Sequence, residues 1–296
     1  MWIEASRLSN LAISARLNGY LTLIRPPNTL MIGLGVVIGE AIGLGKLPGI
    51  TEAIFGFLTA SLMMAGTMVA NDVYDVEIDK VNSPERPIPS GIVKARSALG
   101  LSIVLSAASI GFASLLGPWT LLTALLALAL MLFYNTRGKK TGLLGNAIVS
   151  FNVALPFFYG GLAVNSIKPL LFIFSVIAFL ANFGREIAKG ISDMKGDSLR
   201  QVRTLAVIRG PKIAAVASSG LFVTAVLLSM IPPLLPERVS WLYFPLVIVT
   251  DLGFLYSSYR LWKNQSPENI RTVKGQVLVW MLLGLVGFLL GGASLL

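Results

Sequence analysis

Long apolar runs recur from one end of the chain to the other, and the segments between them are short, polar and rich in Lys and Arg. A helix that crosses a bilayer needs about 20 mostly apolar residues. Nine stretches read as such spans, at approximately 21–45, 53–75, 96–116, 119–135, 143–164, 169–190, 212–232, 239–261 and 276–296. Apolar and polar positions do not alternate within them, which argues against a membrane β-barrel. The pattern predicts an all-α, polytopic membrane bundle of nine transmembrane helices, with 1–296 as a single transmembrane domain. Residues 1–20 are mixed in polarity and lack a compact apolar stretch, so they predict a short amphipathic lead-in along the membrane surface rather than a cleavable leader.

Charge orients the bundle. With these spans, 21 of the 24 Lys and Arg residues fall on one side, and only Lys46, Lys168 and Arg238 on the other. The positive-inside rule then places the N-terminus in the cytoplasm, the C-terminus outside and the protein in the cell membrane. Topology accounts for the net charge of +10, so no nucleic-acid partner is expected. Only 13% of residues are charged; a soluble domain of this size carries about twice that fraction. Cysteine and histidine are both absent. Disulfides are therefore excluded, and zinc, copper or haem lacks its usual thiolate and imidazole ligands. A metal held here would take oxygen ligands, as Mg²⁺ does.

The oxygens are concentrated. Five of the six aspartates lie in two clusters at span ends: Asp72, Asp75 and Asp79 in NDVYDVEID, and Asp193 and Asp197 in REIAKGISDMKGD. Carboxylates at a membrane boundary are costly to desolvate and are normally kept for ions, protons or substrates. Asn71, Asp75 and Asp79 are four apart, which on one helix stacks them along a face. Asp193 and Asp197 repeat that spacing, with Glu186 seven residues earlier on the same face. A single cluster is also explained by a solvated helix end whose acids pair with nearby bases. Two clusters on the cytoplasmic side favour two halves of one cation site. Mg²⁺ seldom receives an all-protein cage and prefers a few carboxylates plus phosphate oxygens. The two clusters, amid many cations, therefore suit a Mg²⁺-bridged diphosphate. Arg86, Lys140, Lys189 and Arg203 are the cations chosen to meet the remaining phosphate charge. The loop NSPERPIPSG follows the first cluster, and Pro84, Pro87 and Pro89 preclude a continuing helix there. This loop and the one after span six are long enough to cap the site from the cytoplasm.

NDVYDVEIDKVNSPERPIPSG closely resembles the first signature of the UbiA-type intramembrane prenyltransferases, and REIAKGISDMKGD followed by RTLA resembles the second. RPPN at Arg25–Asn28 and YNTRGKKTGLLGN at Tyr134–Asn146 also fit that family. The second motif is most similar to the archaeal branch that alkylates geranylgeranylglyceryl phosphate, although Gly190 and Ala206 depart from its usual Asp and Pro. The resemblance implies a bundle with a large lateral cavity. It also implies Mg²⁺-dependent transfer of a prenyl group from an isoprenyl diphosphate to a lipophilic acceptor. Carried over by position, Asn71, Asp75, Asp79, Asp193 and Asp197 would bind the diphosphate through Mg²⁺. Tyr134 and Lys140 would line the reacting end, and Arg25 and Asn28 would face the acceptor. Geranylgeranylglyceryl phosphate is the preferred acceptor, with an aromatic acceptor such as 4-hydroxybenzoate as the alternative. A cation-coupled transporter is the competing class, but transporters place their sites near the bilayer midplane, and these clusters sit at one surface. Asp251, midway along the eighth span, would either face the cavity or pair with a neighbour.

Overall fold

A computed structural model describes residues 2–199, 201–235 and 239–292, and every regular element among them is helical. An N-terminal helix, α1 (Trp2–Ile24), leads into α2 (Pro26–Leu44) and α3 (Ile50–Tyr74). The short α4 (Val76–Asn82) and a turn-rich loop precede α5 (Ala95–Leu116) and α6 (Pro118–Thr136). Then come a 3-10 turn at Gly138–Thr141, α7 (Leu143–Ala163), the long α8 (Pro169–Leu199) and the single-turn α9 (Leu205–Arg209). The chain closes with α10 (Pro211–Leu228), α11 (Tyr243–Lys263) and α12 (Pro267–Gly292). Proline opens α2, α6, α8, α10 and α12, where its missing N–H costs nothing and its fixed φ starts the helix.

Among the described residues, eight helices are long and apolar enough to cross a membrane, so this is an integral membrane protein. The one expected span not among these, the eighth, corresponds to α11. At 21 residues it has the length, but Asp251, Ser257, Ser258 and Arg260 make it more polar than the others. Three expected boundaries also shift. Arg25 sits in the left-handed region (φ 50°), so residues 21–24 finish α1 instead of starting the first span. The sixth span does not stop near 190 but continues as one helix to Leu199. The last begins at Pro267, and its expected end at 293–296 lies outside the described residues.

Two groups of helices make the bundle. In the first, α3 packs on α2, α5 and α6, and α6 on α7. In the second, α8 packs on α10 and α12, and α11 lies between α10 and α12. The groups are joined by α7 against α8 and by α12 against α2. The seam at the centre is α2 on α7. A side chain at Gly39 would strike the Phe157 carbonyl, and one at Gly160 the Val36 carbonyl, so the two backbones touch. Close approach through small residues is how membrane helices gain packing energy without a hydrophobic driving force. Elsewhere the second group is held by aromatic packing, with Phe174 and Phe288 stacked 3.8 Å apart beside Tyr243.

Candidate active site

The first acidic motif does not form the continuous helix that its spacing suggests. The helix breaks at Asp75 (φ −90°, ψ 1°), which ends α3 and begins α4. Asp75 therefore projects from a corner, and its carboxylate takes hydrogen bonds from Asn71 Nδ2 (3.1 Å) and Lys139 Nζ (2.7 Å). Asp72 and Asp79, seven residues apart, are nearly buried and share Arg86, which lies 2.6 Å from Asp79 and 3.8 Å from Asp72. Arg25, at the turn between α1 and α2, holds Asp72 from the other side at 2.7 Å. One wall thus carries three carboxylates interleaved with three cations. Burial pulls the Arg86 guanidinium down, but the hydrogen bond and charge of Asp79, with Asp72 and Asp75, outweigh it and raise it above its usual range. Burial holds the Lys139 ammonium below its usual range, and the bond to Asp75 offsets only part of that loss. The proline loop brings Arg86 into place. Its Ile88 and Val93 pack into a small core with Leu23, Val69 and Ala98, which ties the loop to α1, α3 and α5.

The second motif lies on α8, where Asn182, Glu186, Lys189, Asp193 and Asp197 follow one face. Glu186 accepts from Arg185 (3.0 Å) and Lys189 (3.3 Å). Asp193 is exposed and accepts from the Ser192 hydroxyl at 2.9 Å. Asp197 is half-buried nearer the helix end.

Between these walls lies a chamber of about 260 Å³. Arg25, Asn28 and Asn71 line it from the α2 and α3 side, and Arg185, Glu186 and Lys189 from α8, with Tyr134 between them. Tyr134 stands in the field of Asp75 on one side and of Lys189, Glu186 and Asp197 on the other. Two apolar clefts open from its floor, one on each side of the α2–α7 seam. The first runs between α2, α3, α6 and α7 and shares Met64, Met68, Met131 and Val149 with the chamber. The second runs between α2, α7, α8, α11 and α12 and shares Met31 and Met281 with it.

The remaining candidates lie further out. Lys140 and Arg203 are exposed on adjoining loops and meet only through the backbone, where the Arg203 N–H donates to the Lys140 carbonyl at 3.4 Å. Gly142 permits that contact: its φ is +67°, and its α-carbon abuts the Arg203 carbonyl, so no side chain fits there. The lysine that enters the site is Lys139, 5.8 Å from the centre of the Tyr134 ring. Nothing in the run of two lysines distinguishes them, because the helix ends at Thr136 and its periodicity stops there. Arg185 and Asp72 did leave signals: Arg185 precedes Lys189 by one turn, and Asp72 precedes Asp79 by two. Asp251 lies apart, bonded to the Ser229 hydroxyl at 2.7 Å.

Among the described residues no three acidic side chains converge into a ready-made metal cage. Each carboxylate of the first cluster turns towards a cation instead. The donor set is nonetheless all oxygen, carboxylates plus the Asn71 amide, which suits a hard divalent ion that shares its shell with phosphate oxygens.

Comparison with known proteins gives the same picture. Over 289 residues the chain is 36% identical to a digeranylgeranylglyceryl phosphate synthase of Archaeoglobus fulgidus, covering 96% of this chain and 99% of that protein. A solved structure concerned with digeranylgeranylglyceryl phosphate synthase in membranes superposes with a TM-score of 0.78 at 28% identity, covering 95% of this chain and 99% of that one. A UbiA homolog from Archaeoglobus fulgidus bound to GPP and Mg²⁺ has the same fold, with a TM-score of 0.64 at 22% identity over 91% of this chain and 99% of that one. The model of the UbiA prenyltransferase family matches residues 32–293, and the chain belongs to that family.

Proposed function

We propose that the protein is a Mg²⁺-dependent intramembrane prenyltransferase that moves a geranylgeranyl group from its diphosphate to geranylgeranylglyceryl phosphate. One observation carries this reading: a chamber lined by Arg25, Asn71, Arg185, Glu186 and Lys189, with Asp75 bonded to its Asn71 and apolar clefts opening from it. An isoprenyl diphosphate has that same division of polarity. The Archaeoglobus fulgidus relative supports the acceptor, and the homolog bound to GPP and Mg²⁺ supports the donor class and the ion.

Asn71, Asp75 and Asp79, with Asp193 and Asp197, would hold the metal. When bound, it offsets the charge that builds on the departing pyrophosphate. Arg86 and Lys139 stand beside those carboxylates and meet the phosphate oxygens that remain. Lys140 and Arg203, exposed on the flanking loops, draw the anion to the mouth by charge, and Lys189 completes the cationic lining. The bond between carbon 1 of the donor and its diphosphate oxygen breaks. Carbon 1 gains a bond to the acceptor's hydroxyl oxygen, the hydroxyl proton is released and pyrophosphate leaves. Positive charge develops on the allylic carbons below the aspartates, where the face of the Tyr134 ring favours it. The methionine-rich floor excludes the water that would otherwise trap the chain as an alcohol. Asn28, in the first turn of α2, lines the chamber where the acceptor hydroxyl must approach, while Arg25 fixes Asp72.

The chain acts as one transmembrane domain surrounded by membrane lipid. Its chamber opens to the cytoplasm and its N-terminus lies there, a reading supported by the skew of Lys and Arg. The test is to incubate the purified protein with geranylgeranyl diphosphate, Mg²⁺ and a panel of acceptors and identify the products by mass spectrometry. Digeranylgeranylglyceryl phosphate is the expected product. Transfer only to 4-hydroxybenzoate would overturn the acceptor. Substrate flux in liposomes without release of pyrophosphate would overturn the class.

A further inference from the structure

The two walls of the chamber carry different charge. On the α3 side Asp72, Asp75 and Asp79 are matched one for one by Arg25, Arg86 and Lys139. On the α8 side Arg185 and Lys189 flank Glu186. Lys274 on α12 adds a third cation there, within reach of the charges of Asp193, Lys189, Arg185 and Glu186. Lys274 precedes Leu278, which lines the chamber, by one helical turn, so it stands on the same face nearer the mouth. Where α8 lines the chamber, Arg185 and Lys189 face one carboxylate, Glu186, while Asp193 and Asp197 lie two and three turns nearer the helix end, so the deep part of this wall keeps a net positive charge.

Arg185 is the incomplete member. Its Nη1 donates to Glu186, but its Nε is buried with no partner. A buried donor without an acceptor costs about 1–3 kcal/mol, so such a group is normally met by something that binds. Arg185 lies eight residues before Asp193 on α8, about 12 Å deeper along the helix axis. The donor's diphosphate belongs at the mouth with the aspartates, so it does not account for a cation placed two turns below them. Directly beneath Arg185 the second apolar cleft begins, lined along α8 by Ala181, Ala178 and Ile177 and along α12 by Met281, Gly284 and Phe288. From Arg185 to Ile177 this cleft runs for eight residues of α8, about 12 Å. The α2–α7 seam separates it from the cleft beneath Asn71.

We propose that Arg185, with Lys189 and Lys274, is the anion site for a phosphate on the acceptor, and that the acceptor's apolar chain occupies the cleft between α8 and α12. The donor chain then takes the other cleft, between α3 and α6. This inference rests on the prenyl-transfer reading and adds which wall receives which substrate. It requires an acceptor that is both phosphorylated and long-tailed.

The test pairs two deletions, one in the protein and one in the substrate. Arg185→Gln and Lys274→Gln are compared with the unaltered protein, using geranylgeranylglyceryl phosphate and its dephosphorylated form as acceptors. Losing a hydrogen bond to a charged group costs about 1.5–3 kcal/mol, so each variant raises KM for the phosphorylated acceptor about tenfold or more. KM for the donor and turnover of the dephosphorylated acceptor change little. Arg185→Lys retains the charge and recovers part of the loss. An increase in donor KM instead, or an equal loss with both acceptors, overturns the proposal. Lys274 is only half-buried, so its variant tests the idea even where an Arg185 variant misfolds. Binding of radiolabelled acceptor to the purified protein, with no donor present, separates the two claims. If binding depends on Arg185 but no prenyl group moves, the transfer reading fails and the phosphate site survives. If transfer proceeds while acceptor binding ignores Arg185 and Lys274, the phosphate site fails alone.

Discussion

Arg86→Gln is the most informative single change at the mouth of the chamber. It removes the cation that holds Asp79 at 2.6 Å and approaches Asp72 at 3.8 Å, where the two carboxylate side chains are only 9% and 8% exposed. Removing one partner of a fully buried pair costs about 3–5 kcal/mol. Arg86 itself is 39% exposed, and pairs in water are worth about 1 kcal/mol or less. Asp72 also keeps Arg25 at 2.7 Å. The expected loss therefore lies between these limits, about 1–2 kcal/mol, or ~2–8 °C in the midpoint of unfolding. A second effect runs the other way. If Asp79 holds Mg²⁺ as proposed, Arg86 competes with the metal for it, so the variant binds Mg²⁺ more readily and the ion restores part of the lost stability. Donor KM still rises, because the guanidinium no longer meets the diphosphate. The measurement is thermal unfolding followed by tryptophan fluorescence across a Mg²⁺ series, with steady-state kinetics on the same samples. A variant as stable as the parent without Mg²⁺, or one that Mg²⁺ stabilises no more than the parent, would refute the reasoning.

Asp75→Ala removes the corner carboxylate and lowers kcat by about 100-fold or more while the protein still inserts and purifies; near-parental turnover would remove Asp75 from the site. Chelation of divalent ions abolishes prenyl transfer, and added Mg²⁺ restores it; turnover that persists in excess EDTA would exclude the metal. The two clefts separate by bulk. Ala60→Phe obstructs the α3–α6 cleft and raises KM for the long-chain donor, whereas Ala178→Phe obstructs the α8–α12 cleft and raises KM for the acceptor. Equal effects of both variants on both substrates, read from initial rates, would show one common tail pocket.

The helical bundle was legible because each span must satisfy its own backbone in lipid, which makes length and hydropathy sufficient to find it. The departures come from tertiary context. A left-handed Arg25 divides α1 from α2 within RPPN, inside the stretch read as one span. Contact with α9 and α10 carries α8 past its apolar stretch to Leu199, so a polar turn that reads as loop is helix. The aspartates were visible from their spacing, but the spacing implied a straight helix, and it carries no mark of the break at Asp75. Which bases reach the site was not legible. Lys139 rather than Lys140 pairs with Asp75, and the choice is made by the 3-10 turn at Gly138–Thr141 and by Gly142 docking on Arg203. A basic residue counted for topology looks the same in sequence as one that turns inward, and Lys274 was such a case.

Two anionic substrates in one chamber repel each other, and the charge of the walls determines how that repulsion is met. Two unit charges 10 Å apart at an effective dielectric constant of about 20 repel by roughly 1.7 kcal/mol, and a diphosphate facing a phosphate multiplies that several-fold. Neither anion can be left to neutralise the other, so each needs its own counter-charge. The α3 wall is balanced as it stands, three acids to three bases, and gains a net attraction for an anion only when a divalent ion joins it. Donor binding is therefore coupled to Mg²⁺. The deep part of the α8 wall, where Arg185 and Lys189 flank Glu186, is already positive and needs no ion; Asp193 and Asp197 lie nearer the helix end. It follows that acceptor affinity is nearly independent of Mg²⁺, while donor affinity falls steeply without it. Equilibrium binding of each labelled substrate, with Mg²⁺ and with EDTA, checks this directly. An acceptor that requires Mg²⁺ as strongly as the donor would mean that both phosphates share the aspartate wall, and the division of labour between α3 and α8 would be lost.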